Sequence, residues 1–188
     1  FKMLQSGLQL TDEQSQLADI ILRETERLNR TISEFLNYSR PPNLQLQRMD
    51  LSCLVSETVS LMRNSPDLTR NHSIEMRLEH VFAMVDENMM RQVFYNLATN
   101  AFRAMPDGGT LTVSVEPRNG AQIRFEDTEV GMDDNEVKNL FVPFHSTFKN
   151  GTGLGLPMVY QIIAAHNGVI GVKSARGEGS TFFIDLKQ

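Results

Sequence analysis

The sequence predicts an α+β protein: a two-layer sandwich of helices on a mixed, mostly antiparallel sheet, preceded by one long helix. Three observations carry that expectation. Residues 11–39 hold a single apolar stripe at helical period, closed by Pro41-Pro42. Two pairs of segments, 110–117 with 121–127 and 168–175 with 180–187, alternate apolar and polar residues around glycine-containing turns, as hairpins do. Helix-period segments at 51–63, 87–104 and the stretch ending near His166 supply the covering layer.

The long helix starts at Thr11 or Asp12, either of which can cap it. Leu17, Ile20, Ile21, Leu28, Ile32, Phe35 and Leu36 share its apolar stripe, and Asp19–Arg23 and Glu26–Arg30 are favourable i,i+4 pairs on the wet side. A lone amphipathic helix of this length needs a partner helix, from the same chain or from a second copy. Residues 1–6 are too short to provide it. After the prolines, NLQLQ (43–47) reads as a strand, 72–79 and 81–86 as two more, and MPDGGT (105–110) as a turn. Arg118-Asn119-Gly120 turns the first hairpin, and a short helix covers 133–140.

A chain of 188 residues suits one medium domain, or a domain with an appended helical element. Its 40% hydrophobic content supports a proper core. The net charge of -5 and the lack of a Lys/Arg stripe argue against a nucleic-acid-binding face. The single cysteine, Cys53, excludes an internal disulfide, fits a cytoplasmic setting and reads as helix packing. No apolar run approaches the roughly 18 residues of a membrane span. A start at Phe1 rather than Met reads as a piece of a longer protein, whose membrane anchoring the sequence leaves open.

Chemistry concentrates in three places. Gly151, Gly153 and Gly155 alternate and run straight into an apolar helical segment with Pro157 in its first turn. Glycine permits close backbone approach, and a helix N-terminus attracts phosphate. The G-x-G-x-G spacing fits neither the dinucleotide fingerprint nor the P-loop. Asn96 and Asn100 share a face of the 87–104 helix, with Arg103 three residues further on, an arrangement suited to a hydrated cation. Asp127 closes an alternating strand, where a carboxylate accepts from an exocyclic amine. Taken singly, each has an ordinary reading: a glycine-rich turn, two solvent-facing amides, a turn-forming aspartate.

Together they form a series. NLATNAFRAM (96–105), EDTEVGM (126–132), FVPF (141–144), GTGLGL (151–156) and GEGSTFFIDL (177–186) resemble, in order and spacing, the N, G1, F and G2 boxes and closing segment of sensor histidine kinases. These are ATP-binding domains of the GHKL superfamily. ERLNRTISEFLNYSRPP (26–42) resembles the second helix of their dimerisation and histidine-phosphotransfer hairpin, which divides the chain at 1–42 and 43–188. The short loop between FVPF and GTGLGL is most similar to the nitrogen-regulation type.

The resemblance implies ATP and Mg²⁺ as cofactors. Asn100 would ligate Mg²⁺, with Asn96 and Arg103 near the phosphates; Asp127 would accept from the adenine amino group, with Gly131 in the same box and Thr181 near the base. Gly151, Thr152, Gly153, Leu154 and Gly155 would hinge a lid over the phosphates, and Lys149 would neighbour them. The implied partners are a second copy or the missing hairpin helix, giving a homodimer, and the receiver domain of a response regulator.

The acceptor histidine of the family stands in an H-E/D-x-x-N/R/T-P context that His72, His80, His145 and His166 all lack. The chain is therefore expected to hold ATP without phosphorylating itself. Glu129 replaces the first glycine of the family's D-x-G-x-G pattern, and Phe148 stands where the lid usually carries lysine. The added Cβ and charge predict tighter nucleotide binding in a Glu129→Gly variant, read by calorimetric titration. A degenerate, non-enzymatic scaffold is the alternative function.

Overall fold

The computed structural model describes residues 11–40, 42–62, 68–69, 71–128, 130–148 and 151–187, with the Arg30 side chain set aside. The expectations placed on residues 1–6, Pro41, Arg63, Glu129 and Lys149 fall outside these. The chain divides into two units after Arg40.

In the first unit, α1 spans Asp12–Ser39. Thr11 caps it in a full capping box: its hydroxyl accepts from Gln14 N while the Gln14 side chain accepts from Thr11 N. The stripe residues Leu17, Ile20, Ile21, Leu28, Ile32, Phe35 and Leu36 are all exposed within this chain. On the wet side, Arg27 pairs with Glu24, and Arg23 donates to the Asp19 carbonyl oxygen.

The second unit runs β1 (Gln47–Asp50), α2 (Leu51–Leu61), β2 (His72–Leu78), β3 (Phe82–Val85), α3 (Glu87–Ala104), β4 (Gly109–Pro117), β5 (Ala121–Asp127), α4 (Asp134–Asn139), α5 (Gly155–Ala165), β6 (Val169–Ala175) and β7 (Gly179–Leu186). Five strands form one sheet in the order β2-β4-β5-β7-β6, while β1 and β3 pair antiparallel beside it. Only β2 and β4 run parallel within the large sheet, because α3 separates them in the chain. The mixed, mostly antiparallel α+β sandwich expected from the sequence is therefore the architecture found.

Strand β1 departs from the expectation of 43–47. Its register is set by β3, with Gln47 opposite Val85 and Asp50 opposite Phe82. Pairing stops at Val85 because Asp86 turns to cap α3, where it accepts from Met89 N at 3.0 Å. The preceding Gln45 N donates to the other Asp86 oxygen at 2.8 Å, so this stretch is anchored by a side chain. Burial opposes the Asp86 charge, yet these backbone donors hold its carboxyl below the usual carboxylate value.

The core lies between helices and sheet. Phe94 and Leu97 of α3, Leu51 and Leu54 of α2, Ile163 of α5, and Leu111, Ile123 and Phe125 of the sheet are all fully buried. Phe94 and Phe125 stack with centroids 5.9 Å apart. Cys53 contradicts its assignment to packing: it is exposed on α2, with Sγ directed to Asp50 Oδ2 at 3.6 Å.

Candidate functional site

Three elements of the second unit carry the residues expected at the site. The first is α3, whose apolar face (Val93, Phe94, Leu97, Ala101) is buried against the sheet. One step round the helix, Asn96 and Asn100 are half-buried on a shared face, and Arg103 is exposed near the helix end. The second is the start of α5. A Cβ added to Gly155 would lie 3.5 Å from Asn96 Oδ1, so the glycine run meets the asparagine face directly. Leu154 is the fully buried N-cap of α5 and supplies no side-chain cap, leaving the first helical N–H groups for another acceptor. Leu154 N is turned back to Thr152 Oγ1 at 3.4 Å, and Pro157 has no N–H to satisfy.

The loop that leads into α5 is built by glycine geometry. Gly153 has φ +70°, and a Cβ there would come within 2.6 Å of the Phe144 carbonyl carbon. Its carbonyl accepts from Phe144 N at 3.0 Å, which joins the FVPF segment to the glycines. Gly151 lies against Ser146 Oγ, which a Cβ there would displace. Gly151, Thr152, Gly153 and Gly155 are half-buried.

The third element is the end of β5. Asp127 is 5% exposed and faces Ser180 across the ladder, its Oδ1 accepting from Ser180 N at 3.0 Å. A carboxylate at this depth needs donors, and a ligand amino group supplies one of the right kind. Thr181 is half-buried one residue along β7, opposite Glu126, so alternation turns its side chain to the other face of the sheet from Asp127. Ser180, which the sequence reading missed, shares the Asp127 face. The signal was present: Ser180, Phe182 and Ile184 keep one period-2 core stripe.

The loop after Asp127 is fastened to the β6–β7 hairpin. Gly131, at φ +72°, packs onto the Ala175 carbonyl with no space for a Cβ. Ser174 Oγ accepts from Met132 N at 2.8 Å and lies 3.0 Å from Ser180 Oγ, so one hydroxyl ties the loop to the strand that supports Asp127. Arg176 closes the loop's far end on Asp133 and Glu136 at 3.2 and 3.1 Å. The Glu136 backbone N–H and the Arg176 guanidinium hold the Asp133 carboxyl below its ordinary value.

Two histidines are structural. His72 Nε2 bonds the Met105 carbonyl and its ring meets Phe102 edge-on. His166 accepts from Asp86 N at 2.9 Å through Nε2 and donates to the Ile162 carbonyl through Nδ1, tying the end of α5 to the start of α3. His145 is exposed in the loop that follows Phe144.

Asparagine amide oxygens, uncapped helix amides and a buried carboxylate suit a hard cation, an anion and an amino donor respectively. Residues 85–188 match the family of histidine kinase-, DNA gyrase B- and HSP90-like ATPases. The sensor histidine kinase ZraS of Escherichia coli strain K12 is 34% identical over 178 residues, 93% of this chain and 38% of that protein. Sporulation kinase E of Bacillus subtilis strain 168 is 31% identical over 174 residues, 89% of this chain and 23% of its own. The chain thus spans less than two-fifths of the length of these relatives. Full-length ShkA, solved in complex with AMPPNP, shares the fold with a TM-score of 0.81 at 24% identity, over 96% of this chain and 40% of that one. ThkA in complex with the response regulator TrrA aligns at a TM-score of 0.76 and 22% identity, over 98% and 54%. With the family matched across more than half its length, the chain belongs to the histidine kinase-, DNA gyrase B- and HSP90-like ATPases.

Proposed function

We propose that this region positions ATP, with Mg²⁺, for γ-phosphoryl transfer to a histidine outside the chain, from which a response-regulator receiver domain takes the phosphoryl group. The approach of Gly155 to Asn96 carries the reading, because it sets the uncapped start of α5 beside the Asn96 amide oxygen, one helical turn before Asn100. The donor chemistry fits the cofactors: an amide oxygen is a hard ligand for Mg²⁺, and helix-terminal N–H groups suit phosphate. Mg²⁺, when bound, neutralises charge on the transferring group.

Each residue then has a task. Asn100 holds the cation, and Asn96 and Arg103 contact the phosphates. Asp127 accepts from the adenine amino group, with Gly131 keeping its loop close and Ser180, rather than Thr181, on the same face of the sheet. Gly151, Thr152, Gly153, Leu154 and Gly155 hinge the lid, to which Lys149 adds a positive charge. Residues 1–42 serve as the second helix of a dimerisation hairpin, its apolar stripe covered by a partner helix in a homodimer, in the cytoplasm. No described helix is long and apolar enough to cross a membrane.

A mixing experiment tests transfer. Labelled ATP is added to the chain together with a separate helical hairpin bearing an acceptor histidine. Acid-labile label on the hairpin is expected, and the chain alone stays unlabelled. Binding of ATP with no label on the hairpin would contradict the transfer reading and leave the scaffold alternative, which Glu129 favours.

A further inference from the structure

Away from the nucleotide-binding face, a thiol, a carboxylate and an imidazole converge. Asp50 is the N-cap of α2, Cys53 stands one turn along the same helix, and His80 lies in the connection between β2 and β3. One ligand atom from each lies within 4.8 Å of the other two, a grouping found here among the described residues. His80 Nδ1 is 2.6 Å from Asp50 Oδ2, and Cys53 Sγ is 3.6 Å from the same oxygen.

The sulfur–oxygen separation is close to that of a tetrahedral centre. Bonds of about 2.0 Å to nitrogen and oxygen and about 2.3 Å to sulfur place neighbouring ligand atoms roughly 3.3–3.5 Å apart. The sulfur–oxygen separation already has that value. The imidazole must retreat by under about 1 Å to admit a cation between Nδ1 and Oδ2, and its side chain is free to do so, being 77% exposed.

The surrounding backbone is fixed where the ligands attach. Leu51 N donates to the Val81 carbonyl at 2.9 Å, joining the residues that follow Asp50 and His80. Ser52 N and Ser52 Oγ donate to Asp50 Oδ1 at 3.0 and 2.7 Å, so the carboxylate is oriented with Oδ2 left toward the thiol and imidazole. Cys53 and His80 are exposed, so solvent reaches the grouping.

We propose that Asp50, Cys53 and His80 bind a borderline divalent cation of the zinc class, with solvent completing the site. One sulfur, one nitrogen and one oxygen donor select such an ion over Mg²⁺ or Ca²⁺, which take oxygen ligands. On binding, the Cys53 thiol releases its proton to solvent, the His80 proton moves from Nδ1 to Nε2 by exchange with solvent, and the cation replaces the hydrogen bond between His80 and Asp50. The bound ion then links the β2–β3 connection to the first turn of α2 and stabilises the folded domain by linkage.

Titration of the whole chain with Co²⁺, followed by Zn²⁺, tests this. The expected result is one Co²⁺ per chain with a thiolate-to-metal charge-transfer band, displaced by Zn²⁺, and a Zn²⁺-dependent rise in melting temperature that a chelator reverses. Loss of an outer-shell partner alone costs about 10–100-fold in metal affinity, so His80→Ala and Cys53→Ser should each lose at least that much. Both residues are exposed, so the metal-free melting temperature should hold, and so should nucleotide affinity. No charge-transfer band, or unchanged Co²⁺ affinity in His80→Ala, would overturn the site.

Discussion

At Gly131 the absence of a side chain decides whether a loop forms. Its φ of +72° and its contact with the Ala175 carbonyl exclude a Cβ on two independent grounds. Gly131→Ala is expected to cost at least about 1–2 kcal/mol from the left-handed conformation alone, read by denaturant titration, and to weaken nucleotide binding as the loop beside Asp127 shifts. Asp127 itself acts through charge. Hydrogen bonds to charged groups are worth about 1.5–3 kcal/mol, so Asp127→Asn should weaken an ATP analogue by roughly 10- to 150-fold. At this scale the sequence was legible where residue type and motif order carried the information: Asn96 lies beside Gly155, and Asp127 is the buried end of β5. It was silent where a contact depends on long-range register. Ser174 and Met132 are 42 residues apart, and nothing local announces their hydrogen bond. Cys53 was misread for a similar reason, since helical period alone does not say which flank of α2 meets α3.

Among the elements, α3 holds the most consequence. Its start is an aspartate with a depressed carboxyl pKa, Asp86. The folded value lies below the unfolded one, so the stabilisation is fully present above the ordinary carboxylate value near 3.8 and is lost as pH falls below it. An Asp86→Asn variant keeps the cap and should flatten the acid limb of stability against pH; an unchanged limb would remove Asp86 from the account. In the middle of the same helix, Phe94→Ala should cost about 3–5 kcal/mol by opening a cavity against Phe125, measured by thermal unfolding. Elements with strong periodicity, such as α3 and the two hairpins, were readable to within a residue or two. Strand β1 was not, because its limits come from β3 and from the Asp86 cap rather than from its own residues.

On the scale of the whole molecule, the two units differ in what completes them. The second buries its own core, whereas α1 leaves seven large apolar side chains exposed. Removal of residues 1–40 should therefore abolish the proposed dimerisation, seen by sedimentation, and leave nucleotide affinity intact. The central claim is that Asn96, Asn100, Asp127 and the start of α5 together bind ATP. Calorimetric titration of the whole chain with a non-hydrolysable ATP analogue, with and without Mg²⁺, tests it most directly beside Asn100→Ala and Asp127→Asn. The account predicts one Mg²⁺-strengthened site per chain, with Asp127→Asn weaker in either condition and Asn100→Ala losing chiefly the Mg²⁺ enhancement. Binding that neither variant alters, or no binding at all, would contradict it.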